Sequence, residues 1–364
     1  MSLRILFVSH SNPYGPFRVG SHHLAGEFAD RGHEVVHLST PLSIAHVLTG
    51  RIPVERVRAA PVDRIGQDGV RYLVPRSLLP AGVGRFRVQH TTRRLRLPRF
   101  DVVLIDQPLL WSRSLRRVGA RIVYRPTDEY PEGLKARLQK DVLRHADGVV
   151  ATSGEVLRRL GPLDIPSVIL ENGVDVRRFA PERVAARAQV CVYVGALDSR
   201  FDWDQLNAWA TEFGAWRFLV AGPATEAPTR LPRNVEMLGP VRYEELPLLL
   251  SGARVGLLPL SAHSLNAGRS PMKLWEYLAS GLAVVSRETP VLRPIPEMGV
   301  FTYTDATAAS SALRAAMRVE IPNDAGADRA REHSWTVKGE ALLEFIASLP
   351  ADQRPAGSRR TRRG

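Results

Sequence analysis

One cysteine, Cys191, occurs in 364 residues. A single thiol forms neither an internal disulfide nor a cysteine zinc cluster. No apolar run approaches the ~18 residues that cross a bilayer. The opening Met1-Ser2-Leu3-Arg4-Ile5-Leu6-Phe7-Val8-Ser9-His10 has no long apolar region and no small-residue cleavage site, so a cytosolic chain is expected. Lysine is scarce: Lys135, Lys140, Lys273 and Lys338 are four of 50 basic residues. No Walker A loop, His-Glu-x-x-His pair, Gly-x-Ser-x-Gly elbow or Cys/His zinc spacing occurs. These absences exclude the commonest nucleotide-hydrolysing, metal-dependent and serine-nucleophile signatures.

The remaining composition is globular, 44% hydrophobic and 24% charged. The length suits two domains of roughly 150 residues each. The formal net charge is +13, unevenly spread. Residues 1–180 carry 28 basic and 17 acidic residues, whereas 181–364 carry 22 and 20. The excess peaks over 51–100, with 12 Arg against three acids. Such a field attracts phosphates, anionic lipid headgroups or nucleic acid. No aromatic stacking motif or reader module accompanies it, so nucleic acid is not an expected partner, although an anionic-polymer or nucleic-acid binder is the non-enzyme alternative.

Short apolar runs alternate with amphipathic segments. Leu3–Val8 reads as a buried strand, 20–30 as a helix stopped by Arg31-Gly32, and Glu34–Leu38 as a second strand. This βαβ unit predicts a parallel sheet. Further strands are expected at Val102–Ile105, Arg121–Tyr124, Gly148–Ala151 and Ser167–Leu170, with helices over 133–146 and 153–160. Residues 171–189 read as a linker, opening with the turn-forming Glu171-Asn172-Gly173-Val174-Asp175. The alternation restarts with strands Val190–Val194, Trp216–Val220, Val235–Leu238, Arg254–Leu258 and Leu282–Val285. Helices over 203–213, 243–252, 271–280, 306–318 and 338–348 complete it. The expected division is an N-terminal domain over 1–175, a C-terminal domain over 176–335, a helix over 336–349 packing back on the first domain, and a disordered basic tail over 350–364. Ligands of such folds bind at the carboxyl ends of the strands, near helix N-termini.

Ser270-Pro271-Met272-Lys273-Leu274-Trp275-Glu276-Tyr277-Leu278-Ala279-Ser280-Gly281 reads as a loop, a helix opened by proline and a glycine stop. The first amides, around Met272 and Lys273, are free to receive a diphosphate, and Lys273 adds a point charge. Glu276 lies one turn on, on the same helix face, where a carboxylate accepts hydrogen bonds from ribose hydroxyls. The plain alternative is a capped helix with a surface Lys–Glu pair.

This segment resembles the C-terminal nucleotide-sugar motif of the GT-B glycosyltransferases of the family 4-like type, in the form Ser-Pro-x-Lys-Leu-x-Glu-Tyr. Gly20-Ser21-His22-His23-Leu24-Ala25, Asn172-Gly173-Val174-Asp175, Tyr193-Val194-Gly195-Ala196-Leu197, Ala221-Gly222-Pro223 and Leu238-Gly239-Pro240 resemble the family's other stretches in the same order. The resemblance implies an α/β GT-B fold, with two Rossmann-like doubly wound domains facing a central cleft. It implies transfer of a sugar from a nucleotide diphosphate sugar, a UDP-sugar by preference, to a hydroxyl acceptor. That acceptor would be lipid-linked or a polysaccharide precursor. The expected donor-binding residues are Gly195, Ser270, Pro271, Met272, Lys273 and Glu276. A nucleotide sugar is then a co-substrate, and no metal cofactor is expected.

Val123-Tyr124-Arg125-Pro126-Thr127-Asp128 is similar to a stretch of the xanthan-type bacterial glucuronosyltransferase, an inverting enzyme acting at the membrane surface. The resemblance implies that Asp128 is the catalytic base. Asp128 also closely follows a predicted strand, which places it at the sheet's carboxyl edge; the plain alternative is a helix cap. Retaining relatives carry two Glu eight residues apart, and here the first position is Gly268, which favours inversion. A non-hydrolysing sugar-nucleotide epimerase of the same fold is the enzymatic alternative.

Arg18 and His22, on the loop and helix after the first strand, are expected on the acceptor or phosphate side, with His22 and His23 otherwise first-turn helix residues. Asp202-Trp203-Asp204 matches an Asp-x-Asp metal signature but opens a helix, so capping explains it. The run 85–100 interleaves six Arg with Phe86, Val88, Leu95, Leu97 and Phe100. With Leu78, Leu79 and Val83, the region 76–100 is expected to meet an anionic membrane, which predicts peripheral association with the inner face of the plasma membrane.

Overall fold

The computed structural model describes residues 2–15, 17–84, 86–181, 187–225 and 227–350. The expected tail, apart from Pro350, and part of the expected linker lie outside the described residues. The N-terminal sheet has eight strands. Their order is Ser167–Ile169, Gly148–Ala151, Gly119–Tyr124, Phe100–Ile105, Arg4–Ser9, Glu34–Ser39, Arg71–Leu73 and Asp63–Ile65. Only Asp63–Ile65 runs antiparallel to its neighbour. The C-terminal sheet has six parallel strands, in the order Val235–Gly239, Arg217–Ala221, Val190–Val194, Val255–Leu258, Ala283–Arg287 and Val300–Tyr303.

Both sheets are covered on two faces, as continuous Val/Ile/Leu strands require. In Arg4–Ser9, Ile5 and Phe7 enter one core cluster while Leu6 and Val8 enter another. In Val190–Val194 the three valines pack on one side, and Cys191 and Tyr193 on the other. Burial pushes the Cys191 thiol pKa well up, so this side chain serves as core packing. Arg4–Ser9 pairs with both Glu34–Ser39 and Phe100–Ile105, and Val190–Val194 with both Arg217–Ala221 and Val255–Leu258. Each is therefore a topological switch point, the place where a doubly wound sheet opens a crevice.

The chain crosses between the units twice, and the crossings pair. Val174 N–H donates to the His333 carbonyl and Trp335 N–H to the Val174 carbonyl, both at 3.0 Å. The closing helix Trp335–Ser348 then lies on the N-terminal unit, where Leu342, Ile346 and Leu349 join Ile5, Leu24 and Phe28 in one cluster.

The region 45–100 differs from expectation. Arg71–Leu73 and Asp63–Ile65 extend the sheet, and Leu42–Ser43 pairs with Arg76–Ser77. Within the basic run, Val88 and Phe100 are fully buried, and Phe86, Leu95 and Leu97 pack on the N-terminal core. The apolar half of that run faces inward, because the helix Val88–Arg94 covers the sheet. Of the apolar residues of the expected membrane face, Leu78, Leu79 and Val83 are outward, joined by Ile44 and Leu48, while Arg87, Arg93, Arg94, Arg96 and Arg99 are exposed beside the inward-facing apolar set.

Candidate active site

A cavity of about 290 Å³ lies where the carboxyl ends of the two sheets meet. One wall is the segment Arg269–Lys273. Pro271 caps the helix Met272–Ala279 without a side-chain hydrogen bond, so its first amides have no acceptor from the cap. The helix ends at Gly281, whose φ of +75° suits glycine. Tyr277, fully buried on this helix, accepts the Val194 N–H at 2.8 Å through its hydroxyl. That bond fixes the Val194–Gly195 turn against the helix start. The turn is close-packed: a Cβ on Gly222, at φ +147°, would stand 1.7 Å from the Gly195 carbonyl oxygen. A pocket of about 30 Å³ opens beside Lys273, lined by Arg18, Gly195, Gly222, Pro240 and Tyr243 among others.

Lys273 Nζ donates to Glu276 Oε2 at 2.5 Å. Glu276 is only 1% exposed, and its Oε1 has no hydrogen-bond partner among the described residues. The carboxylate therefore sits under the lysine, one oxygen unspent, and does not itself line the cavity. Ser270 is buried and holds Asn172. Its hydroxyl accepts the Asn172 N–H at 3.1 Å, and its carbonyl accepts Asn172 Nδ2 at 2.8 Å. Gly195, Ser270, Pro271, Met272 and Lys273 all face the cavity.

The opposite wall comes from the N-terminal sheet: His10, Arg18, Gly20, Asp106, Arg125, Thr127 and Asp128. Asp128 is exposed, and its carboxylate accepts the Thr127 hydroxyl at 3.3 Å. It caps no helix, since Gly133–Leu143 begins after Glu132. Arg18 reaches the cavity while paired with Asp68 at 3.1 Å. Arg200 holds Asp198 in a fork at 2.6–3.2 Å, which raises its pKa further, with Asp128 adding to the effect. Arg269 also lines the cavity, and the Arg200 fork first, with Arg269 adding to it, lowers the Asp198 pKa.

His22 is not on the cavity wall. It is fully buried, its Nδ1 accepting the Val19 N–H at 3.2 Å and its Nε2 placed 3.3 Å from the Ser11 carbonyl. A bare Nδ1 puts the proton on Nε2, which donates to Ser11. Burial, then Arg18, pushes its pKa down to about 3. It ties the loop to the helix, and the acceptor-side expectation is corrected to that extent. His23 stacks on Trp335 with centroids 5.0 Å apart. Asp202 caps its helix through Gln205 N–H at 2.9 Å and pairs with Arg287 at 3.2 Å, so its oxygens serve the fold. Among the described residues no cluster of three or more His, Cys, Asp or Glu is placed to hold a metal ion.

Asp106, Arg125 and Arg269 are cavity residues to which sequence reasoning gave no role. Asp106 and Arg125 each directly follow a strand whose end was read correctly, so their signal was the carboxyl edge itself.

A family model for the glycosyl transferase 4-like domain matches residues 18–173, and one for glycosyl transferases group 1 matches residues 188–318. The chain belongs to the GT-B glycosyltransferases. This GT-B chain has the fold of Anabaena Alr3699/HepE, solved in complex with UDP and glucose: TM-score 0.67, 15% identity, 95% of this chain and 100% of that one. AviGT4, a glycosyltransferase involved in avilamycin A biosynthesis, superposes with TM-score 0.64 at 18% identity, over 95% of this chain and 97% of that one. TuaH of Bacillus subtilis (strain 168), provisionally described as a teichuronic acid biosynthesis glycosyltransferase, is 26% identical over 225 residues, 57% of this chain. The match spans 55% of that relative's length.

Proposed function

We propose that this chain moves a sugar from a UDP-sugar, hexosyl or hexuronosyl, to a hydroxyl on a glycan or lipid-linked precursor, with inversion. The observation that carries the reading is the pairing of walls: Asp128 from one sheet and the Met272–Lys273 helix start from the other share one cavity. The nucleotide's diphosphate lies on the Met272 and Lys273 amides, where the helix dipole favours an anion. Lys273 leaves Glu276 for the phosphate. Glu276, freed and already carrying an unspent oxygen, takes the ribose hydroxyls. The acceptor oxygen attacks the anomeric carbon as the bond from that carbon to the diphosphate oxygen breaks. The acceptor's proton passes to Asp128, and the bonding pair leaves with UDP. Lys273 and the amides stabilise that developing charge without drawing on a metal. Arg200 and Arg269 flank the sugar.

Turnover and UDP affinity of Asp128→Asn and Lys273→Ala, measured in EDTA, test this reading. Asp128→Asn is expected to lose about 10²- to 10⁴-fold in kcat, the span of general-base catalysis, with UDP affinity unchanged. Lys273→Ala is expected to weaken UDP. Two variants that both turn over like wild type would overturn these roles. An isomerised nucleotide sugar after incubation of the donor alone would instead favour the epimerase reading.

We further propose that the chain docks on an anionic membrane to reach a lipid-linked acceptor, through a face other than 85–100. Among the described residues, eight of 14 exposed large hydrophobics fall within residues 44–83. The 42–43/76–77 ladder and the Ala45 N–H to Leu78 carbonyl bond bring the segment that carries Leu48 together with the one that carries Leu78, Leu79 and Val83. An exposed apolar patch among arginines suits such a surface.

A further inference from the structure

Asp106 and Arg125 form a fully buried ion pair that the transfer mechanism above does not use. Each is 1% exposed. Arg125 Nη1 donates to Asp106 Oδ1 at 3.3 Å, and Arg125 Nη2 to Asn172 Oδ1 at 3.3 Å. Two polar atoms remain without a partner among the described residues, Asp106 Oδ2 and Arg125 Nε. Both residues line the cavity that holds Asp128. The fold makes room for them: a Cβ on Gly20 would stand 2.6 Å from Arg125 Nη2.

A buried ion pair gains little as a scaffold and costs more when its hydrogen-bonding capacity is half used. A ligand that bonds both free atoms removes that cost. Asp106 Oδ2 only accepts, and Arg125 Nε only donates. Two neighbouring sugar hydroxyls complete both atoms, one donating to Asp106 Oδ2 and the other accepting from Arg125 Nε.

We infer that Asp106 and Arg125 bind a vicinal diol of the acceptor, so that the acceptor is a saccharide whose attacking hydroxyl is presented to Asp128 by this second contact. The inference rests on the reading of this cavity as the transfer site. It also gives Asn172 a use: the residue that holds Ser270 on the donor wall also touches Arg125 on the acceptor floor.

The test measures binding to the full chain by saturation-transfer NMR. The probes are four 4-nitrophenyl pyranosides (gluco, galacto, manno and N-acetylglucosamine) and the single-hydroxyl control 2-(4-nitrophenoxy)ethanol, each with saturating UDP. At least one pyranoside is expected to bind wild type more tightly than the control. Asp106→Asn, which turns the free acceptor oxygen into an N–H donor or leaves it misplaced, is expected to weaken that pyranoside at least tenfold. It should leave the control and the UDP affinity unchanged. If the variant does not fold, the 2-deoxy and 3-deoxy forms of the best pyranoside on wild type carry the test, and at least one should lose tenfold. Pyranosides no better than the control, or an Asp106→Asn protein that binds them equally well, would overturn the inference. So would a variant that loses all three ligands together, which marks a purely structural pair. Failure of wild type to bind UDP would instead strike the donor reading, and the pyranoside comparison stands apart from it.

Discussion

At the residue scale the fold changes the chemistry of three histidines most. His22, His23 and His37 are buried, and burial is the first cause that drives each pKa down, to about 3 for His22 and well below the ordinary value for the others. The unfolded chain binds a proton on each near pH 6.5. Below that pH the unfolded state therefore holds protons that the folded state refuses, and stability falls as pH falls. Each histidine contributes a slope of up to about 1.4 kcal/mol per pH unit. Urea unfolding is expected to show a falling midpoint from pH 7 to 5; a flat profile would contradict neutral burial. The cavity wall at Ser270–Lys273 was legible because Ser270 to Glu276 form one contiguous stretch with a fixed helical spacing. His22 was not, since nothing in the letters His-His says which ring turns inward. Asp106 and Arg125 meet only through a bond between neighbouring strands, which the letters do not display.

At the element scale the helix Met272–Ala279 is held to its sheet by Tyr277. Its ring fills the space that a Cβ on Gly256 would occupy, at 2.2 Å, and its hydroxyl serves the Val194 amide. Tyr277→Phe leaves that buried N–H without an acceptor, which costs about 1–3 kcal/mol. Denaturant titration should register the loss, and UDP should bind more weakly because the Gly195 turn shifts. A variant with wild-type stability and UDP affinity would show that the bond does not set the turn. The helices and long buried strands were readable from apolar periodicity and length. The three-residue strands Asp63–Ile65 and Arg71–Leu73 were not, because a strand that short, half of it arginine and aspartate, carries no alternation. The helix Asp324–Glu332 was missed for a similar reason: it buries only Gly326, Ala327 and Ala330, and small residues mark no face.

At the scale of the whole molecule, two switch points face each other across one cavity, and the chain crosses between them by two segments that pair at Val174. The alternation of βα units made this architecture legible. The orientation of the basic region did not follow from its charge, since the apolar residues among the arginines of 85–100 turned out to cover the sheet. Among the described residues no helix is long and apolar enough to cross a membrane. Association through Leu48, Leu78, Leu79 and Val83 predicts sedimentation with phosphatidylglycerol vesicles that is lost in Leu78→Glu/Leu79→Glu, with UDP binding intact. Sedimentation unchanged by that pair of substitutions would place the contact elsewhere or nowhere.

A crystal structure with UDP bound reaches the centre of the account. It should show phosphate oxygens on the Met272 and Lys273 amides, Lys273 turned from Glu276 to the phosphate, the ribose on Glu276, and Asp128 facing the open end of the diphosphate. UDP bound away from that helix start, or a Lys273–Glu276 pair left intact beneath it, would contradict the account.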